Sequence, residues 1–120
     1  MAHASQSINE LLPLTPAVFN ILLALADGEK HGYAIMQEVE ENTGGLVKMG
    51  PGTLYGSIKR MIEYGLIVEN DERPDPDLDD QRRRYYCLTA MGKRHLHAEA
   101  KRMLDQVVAA QGKGILNEPV

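Results

Sequence analysis

Lys48-Met49-Gly50-Pro51-Gly52-Thr53-Leu54-Tyr55-Gly56-Ser57-Ile58-Lys59-Arg60-Met61 is the stretch that decides the fold. Pro51 behind Gly50 suits the first turn of a helix, where the fixed φ of proline is already helical and its missing N–H costs nothing. Apolar residues then return at Leu54, Ile58, Met61 and Ile62, a rhythm that buries one helical face. Other positions carry Thr53, Tyr55, Ser57, Lys59 and Arg60, whose hydroxyl, phenol and cationic groups bind phosphate oxygens and base edges. Such a helix packs on a core through one side and reads DNA with the other.

Upstream, Thr15-Pro16 pairs an N-cap with a first-turn proline and opens a helix that closes at Asp27-Gly28. Its expected core stripe is Phe19, Leu22, Leu23 and Ala26. A second helix is expected over 31–42, with Ile35, Met36 and Val39 on one face and Glu38, Glu40 and Glu41 mostly elsewhere, ended by Gly44-Gly45. Residues 46–49 are too short for a helix and are expected to form a brief strand leading into the third, which ends at Gly65.

Downstream, 66–70 and 82–89 are candidate strands, the second rich in aromatic residues, separated by a tip that contains Pro74 and Pro76. From Thr89, a plausible N-cap, Leu96, Ala100, Met103, Leu104, Val107 and Val108 fall on one stripe of a helix that extends to about Gln111. At ~1.5 Å per residue it is roughly 35 Å long, more than so small a domain covers alone, so the stripe is assigned to dimerisation. The first dozen residues and the last few are expected to fray.

Helix, helix, helix, hairpin, long helix is the order of a winged helix-turn-helix domain with an added C-terminal helix. The expected fold class is therefore mainly α with a small β-hairpin (α+β). Residues 1–88 form the DNA-binding domain and 89–120 the dimerisation helix and tail. Packing of the second and third helices through their stripes leaves the outer face of the third free to enter a major groove, with the hairpin flanking it.

Composition permits this. A chain of 120 residues makes one small domain, and 43% apolar with 25% charged residues is ordinary for a globular protein. No apolar run is long enough to span a bilayer and no signal peptide is visible; Cys87 alone cannot form an intramolecular disulfide, so a reducing, cytoplasmic setting is expected. The net charge of −4 seats poorly with a polyanionic partner until it is located. Seven acids and the single base Arg73 lie between Glu69 and Asp80, and elsewhere ten acids meet twelve bases.

Arg82, Arg83 and Arg84 form the densest positive charge, on the returning strand of the wing. They suit phosphate or minor-groove contact first, with neutralisation of the acidic tip beside them as the alternative. Lys48 and Lys93 are further phosphate candidates. Tyr55 is the leading single DNA candidate, a reading compatible with half-burial of its ring against the second helix. The acidic tip lacks calcium-loop spacing and is expected to point away from DNA. His95 and His97, two apart on a helix, lie on different faces and do not share a metal; His31 is expected to pack at the start of the second helix. No nucleophile–base set and no Gly-rich phosphate loop is present, so neither an enzyme nor a cofactor is expected. The rival from another class is a winged-helix protein-interaction module.

The chain resembles the PadR-like transcriptional regulators, in particular the short type with one C-terminal dimerisation helix. The resemblance rests on His31-Gly32-Tyr33, Gly52-Thr53-Leu54-Tyr55, Glu63-Tyr64-Gly65-Leu66-Ile67, and Arg83-Arg84-Tyr85-Tyr86-Cys87-Leu88-Thr89 followed by Gly92. It implies a homodimeric repressor on a palindromic operator, released by a small effector such as a phenolic or other toxic compound. A dimer interface of Met103, Leu104, Val107 and Val108 with Phe19 and Leu12 is a candidate effector pocket, and ordinary core packing explains the same residues. Relatives usually have Pro where this chain has Gly56, a shorter, less acidic wing turn, and a polar or basic residue at Cys87.

Overall fold

Residues 12–70 and 84–117 are described by the computed structural model. Helix α1 (Pro16–Ala24) starts where the sequence places it, with the Thr15 hydroxyl accepting the Val18 N–H at 3.2 Å and Pro16 in the first helical position. Such a cap is worth about 1 kcal/mol. The buried side of this segment is Asn20, Ile21, Leu22, Ala24 and Leu25, whereas Leu23 is 36% exposed and Ala26 faces out. The expected stripe is thus displaced. Residues 21–26 are apolar throughout, so periodicity cannot choose their face and the surrounding elements do. Asn20 is tolerated inside because its Nδ2 donates to the Pro16 carbonyl at 2.8 Å.

Strand β1 (Lys30–His31) was not expected from the sequence, since two residues carry no alternation. It pairs antiparallel with β3 (Tyr85–Leu88), Lys30 opposite Tyr86 and His31 opposite Tyr85. On its other edge β3 pairs with β2 (Ile67–Asn70), from Ile67 opposite Leu88 to Asn70 opposite Tyr85. The hairpin is therefore two strands of a three-stranded sheet in the order β1-β3-β2. His31 then caps α2 (Gly32–Asn42), its Nδ1 accepting the Ala34 N–H at 3.2 Å while its ring meets Tyr85 edge-on, centroids 5.5 Å apart.

The brief strand expected at 46–49 does not form. Gly44 and Gly45 turn the chain at φ 61° and 84°, and the Thr43 hydroxyl accepts the Val47 N–H at 3.0 Å while donating to the Val39 carbonyl at 2.8 Å. A side chain thus takes the place of a ladder partner. Helix α3 (Pro51–Glu63) buries Leu54, Ser57, Ile58 and Met61. It stops where expected: Gly65 adopts φ 78°, its N–H reaches the Ile62 carbonyl at 3.0 Å, and the Leu66 N–H reaches Met61 at 2.9 Å. The core joins Ile21, Leu22, Ile35, Val39, Leu54, Ile58 and Met61 from three helices to Ile67 and Tyr86 of the sheet.

Helix α4 (Ala90–Gly112) opens with the Thr89 hydroxyl accepting the Gly92 N–H at 3.0 Å, and a 3₁₀ turn (Ile115–Asn117) follows it. Its first turns lie on α1 and belong to the core, with His95 buried, His97 exposed and Leu96 packed against the hydrophobic cluster. Leu96 is therefore occupied within its own domain and leaves the proposed dimer stripe. Glu99, which reads as a surface acid, is fully buried. It accepts the Leu14 N–H at 2.9 Å and the Arg102 Nε at 2.5 Å, clamping the segment before α1 onto α4.

The Arg102 guanidinium, helped by the Leu14 N–H and opposed by burial, holds the Glu99 carboxyl below the ordinary value of 4.5. A carboxyl depressed in the folded state stabilises above its unfolded pKa, and that contribution is lost as pH falls through the lowered value. Thermal melts followed by circular dichroism should therefore show the wild type losing more of its midpoint below about pH 4 than Glu99→Gln, which carries no titrating charge. Parallel acid limbs for the two proteins would contradict the clamp.

Candidate nucleic-acid interface

The outward face of α3 is the one the sequence predicts, with two changes: Ile62, expected in the buried stripe, is 38% exposed, and Ser57 lies inside. Thr53, Lys59 and Arg60 are exposed on it, and Lys48 is exposed just before it. Ser57 is 3% exposed and lies inside, so it is not a groove contact. Positions 54, 57, 58 and 61 share one helical face by the i, i+3, i+4, i+7 rule, and a serine is small enough for the closest approach. The hydroxyl pointed the reading outward where the spacing pointed inward.

No side chain caps α3: Gly50 precedes it, so its first N–H groups and the positive end of its dipole meet solvent beside Lys48. Gly56, in the next turn, has no neighbour among the described residues within 4 Å of where a Cβ would stand. Gly56→Ala should therefore stabilise the domain by about 0.5–1 kcal/mol through helix propensity alone. Urea unfolding measures it, and a lowered midpoint would reveal an obstruction in that space.

Tyr55 does not extend freely from α3. It is half-buried, and a methyl on Gly32 would lie 2.3 Å from its hydroxyl oxygen and 2.8 Å from Cζ, so its ring lies over the first residue of α2. Beneath the sheet, burial pushes the Tyr86 phenol up to about 12, with the Glu69 carboxylate and Tyr55 adding to the shift. Glu69 also binds Arg84, Oε2 to Nη1 at 2.7 Å across the hairpin. Of the arginine triplet, Arg84 thus has an acid of β2 as an ion-pair partner while its side chain stays half exposed. Arg82, Arg83 and the tip at 71–80 lie outside the described residues.

Lys48 lines a shallow groove with Tyr33, Gln37 and Glu40 of α2. Tyr33 is 56% exposed and falls off the Ile35/Val39 stripe. Lys93 is exposed in the first turn of α4, where Gly92 abuts the Leu66 carbonyl at the base of the hairpin. Two four-residue strands, roughly 13 Å long, carry the chain from that base towards the wing tip. Among the described residues no group of His, Cys, Asp or Glu is placed to hold a metal ion, and no helix is long and apolar enough to cross a membrane.

Known proteins share this arrangement. H. salinarum RosR matches with a TM-score of 0.66 and 27% identity over 82% of this chain and 82% of that one. Bacillus subtilis PadR, solved in complex with operator DNA, matches with a TM-score of 0.60 and 27% identity over 72% of this chain and 46% of that one. An uncharacterized 37.1 kDa protein of a Streptomyces fradiae transposon is 39% identical over 83 residues, 69% of this chain. The present chain spans only about a fifth, 21%, of that relative's length. Residues 21–98, from α1 through the sheet into α4, match the model of the transcriptional regulator PadR-like family. Most of the three-helix core, the three-stranded sheet and the first turns of α4 are what this match covers, and the chain belongs to the PadR-like family of transcriptional regulators.

Proposed function

We propose that the chain is a sequence-specific DNA-binding repressor that acts as a homodimer in the cytoplasm and is released by a small effector such as a phenolic or other toxic compound. The observation that carries DNA binding is the outward face of α3, where Thr53, Lys59 and Arg60 follow an uncapped helix start beside Lys48. Hydroxyl and cationic groups on a helix about 20 Å long suit a major groove, which admits one helix. Bacillus subtilis PadR on its operator is the precedent among the structural matches.

Dimerisation rests on α4 beyond Glu99. Leu104, Val107 and Val108 are 55%, 44% and 54% exposed, with Ala100 and the half-buried Met103 alongside and Ile115 and Leu116 just past the helix. A contiguous apolar patch of this kind marks an interface, here with the same face of a second copy. The domain up to Glu99 then acts as the reading head and the part of α4 beyond it as the arm that pairs it. Repression and release rest on resemblance to the family, together with the apolar surface that such an interface would enclose.

Selection of bound duplexes from a random pool, followed by anisotropy titration of the winner at several salt concentrations, tests the reading. An inverted repeat with half-sites about one helical turn apart, and affinity falling steeply with salt, is expected. Absence of enrichment, with weak and salt-independent binding, would favour a protein-interaction module instead.

A further inference from the structure

Tyr55 stands on the DNA-reading helix, yet its ring lies against the backbone of another element. The ring covers Gly32, where a methyl group would lie 2.3 Å from the hydroxyl oxygen, 2.8 Å from Cζ and 3.0 Å from Cε1. Gly32 is buried, so glycine is required there to make room for the ring and not for a turn. The residue before it, His31, is both the cap of α2 and the partner of Tyr85 in the sheet. At this point the first turns of α3 meet the start of α2 and, by way of β1, the wing strands, in addition to the core packing of Leu54 and Ile58. Tyr86, opposite Lys30, lies 3% exposed under the same sheet.

We propose that Tyr55 is a positioning residue: its ring, seated on Gly32, sets the tilt and distance of α3 relative to the wing, and thereby the geometry with which both engage a DNA half-site. The inference rests on the DNA-binding reading above and deepens it. It assigns Gly32 a role with no contact to DNA at all. The ring end is the far part of a side chain, so a methyl on Gly32 displaces the ring and α3 with it and leaves the helices themselves formed. The two residues then act as one packing unit, and units of this kind show coupling when both are changed.

The experiment is a mutant cycle read by operator anisotropy, with urea unfolding run on each variant. Gly32→Ala should weaken operator binding roughly tenfold, and Tyr55→Val should weaken it as well. In the Gly32→Ala background, trimming Tyr55 to Val should recover part of the loss, because the methyl now occupies room the ring has vacated. A tyrosine that contacts DNA directly gives the opposite sign: trimming it in that background makes binding worse, and this result overturns the proposal. Should Gly32→Ala fail to fold, Tyr55→Phe decides alone. Retained ring and affinity within about threefold of wild type support positioning, and a loss of tenfold or more overturns it. A wild-type chain that binds no duplex defeats the DNA reading and this inference with it, whereas a wild-type chain that binds while the cycle shows no rescue defeats the inference alone.

Discussion

Gly92→Ala is expected to destabilise the domain by about 3 kcal/mol or more, the largest effect of any single methyl group in the described structure. A Cβ at Gly92 would stand 2.0 Å from the Leu66 carbonyl oxygen, 3.0 Å from its carbon and 3.4 Å from Cα. Those atoms are backbone, and the oxygen is already engaged, accepting the Thr89 N–H at 3.1 Å and sharing the Thr89 hydroxyl, also at 3.1 Å, with the Gly65 carbonyl, which accepts it at 2.6 Å. Relief would require α4 to lift from the turn that ends α3, breaking both bonds and opening the contact between Leu66 and the core. Contrast Gly32, whose methyl would first meet a movable ring, and Gly56, whose methyl would meet nothing among the described residues. Urea unfolding of the three alanine variants should rank Gly92 far below Gly32 and Gly56 above wild type. An unfolding midpoint for Gly92→Ala close to wild type would show that α4 does not approach the turn so closely.

Leu104→Glu is expected to yield a folded monomer that has lost operator binding by about 100-fold or more. In the isolated chain Leu104 is 55% exposed, so the substitution falls within the ±0.5 kcal/mol or so usual for surface changes and the fold survives. In a symmetric pair of α4 helices the same carboxylate would be buried beside its own copy, an unpaired charge in an apolar seam, which is strongly unfavourable. Losing the pair removes the second reading head, and with it the effective concentration that linkage provides. Sedimentation velocity beside anisotropy checks both halves of the statement. An intact dimer would place the interface elsewhere on the molecule, and a monomer with wild-type affinity would mean that one head suffices.

What could be read from the sequence was whatever is written in local spacing and in residues with fixed backbone roles. Thr15-Pro16, Gly50-Pro51, Gly65 and Thr89 place helix ends where the structure has them, because caps, first-turn prolines and left-handed glycines act within a few residues of themselves. Leu54, Ile58 and Met61 identified the buried face of α3 for the same reason, and Lys59 and Arg60 its outer face. Tertiary structure decided the rest. The apolar run of α1 has no preferred face until α2, α3 and α4 pack against it, so Leu23 turned out and Ile21 turned in. β1 exists only because β3 is beside it. Glu99 is an ordinary surface acid by composition and a buried one because Leu14 and Arg102, the first 85 residues away, converge on it. Arg84 is held by Glu69, and Tyr55 by Gly32, through contacts between elements. A cap or a helical stripe is set by neighbours along the chain, whereas the burial of a charge or the seat of a ring is set by neighbours in space, which only the folded chain brings together.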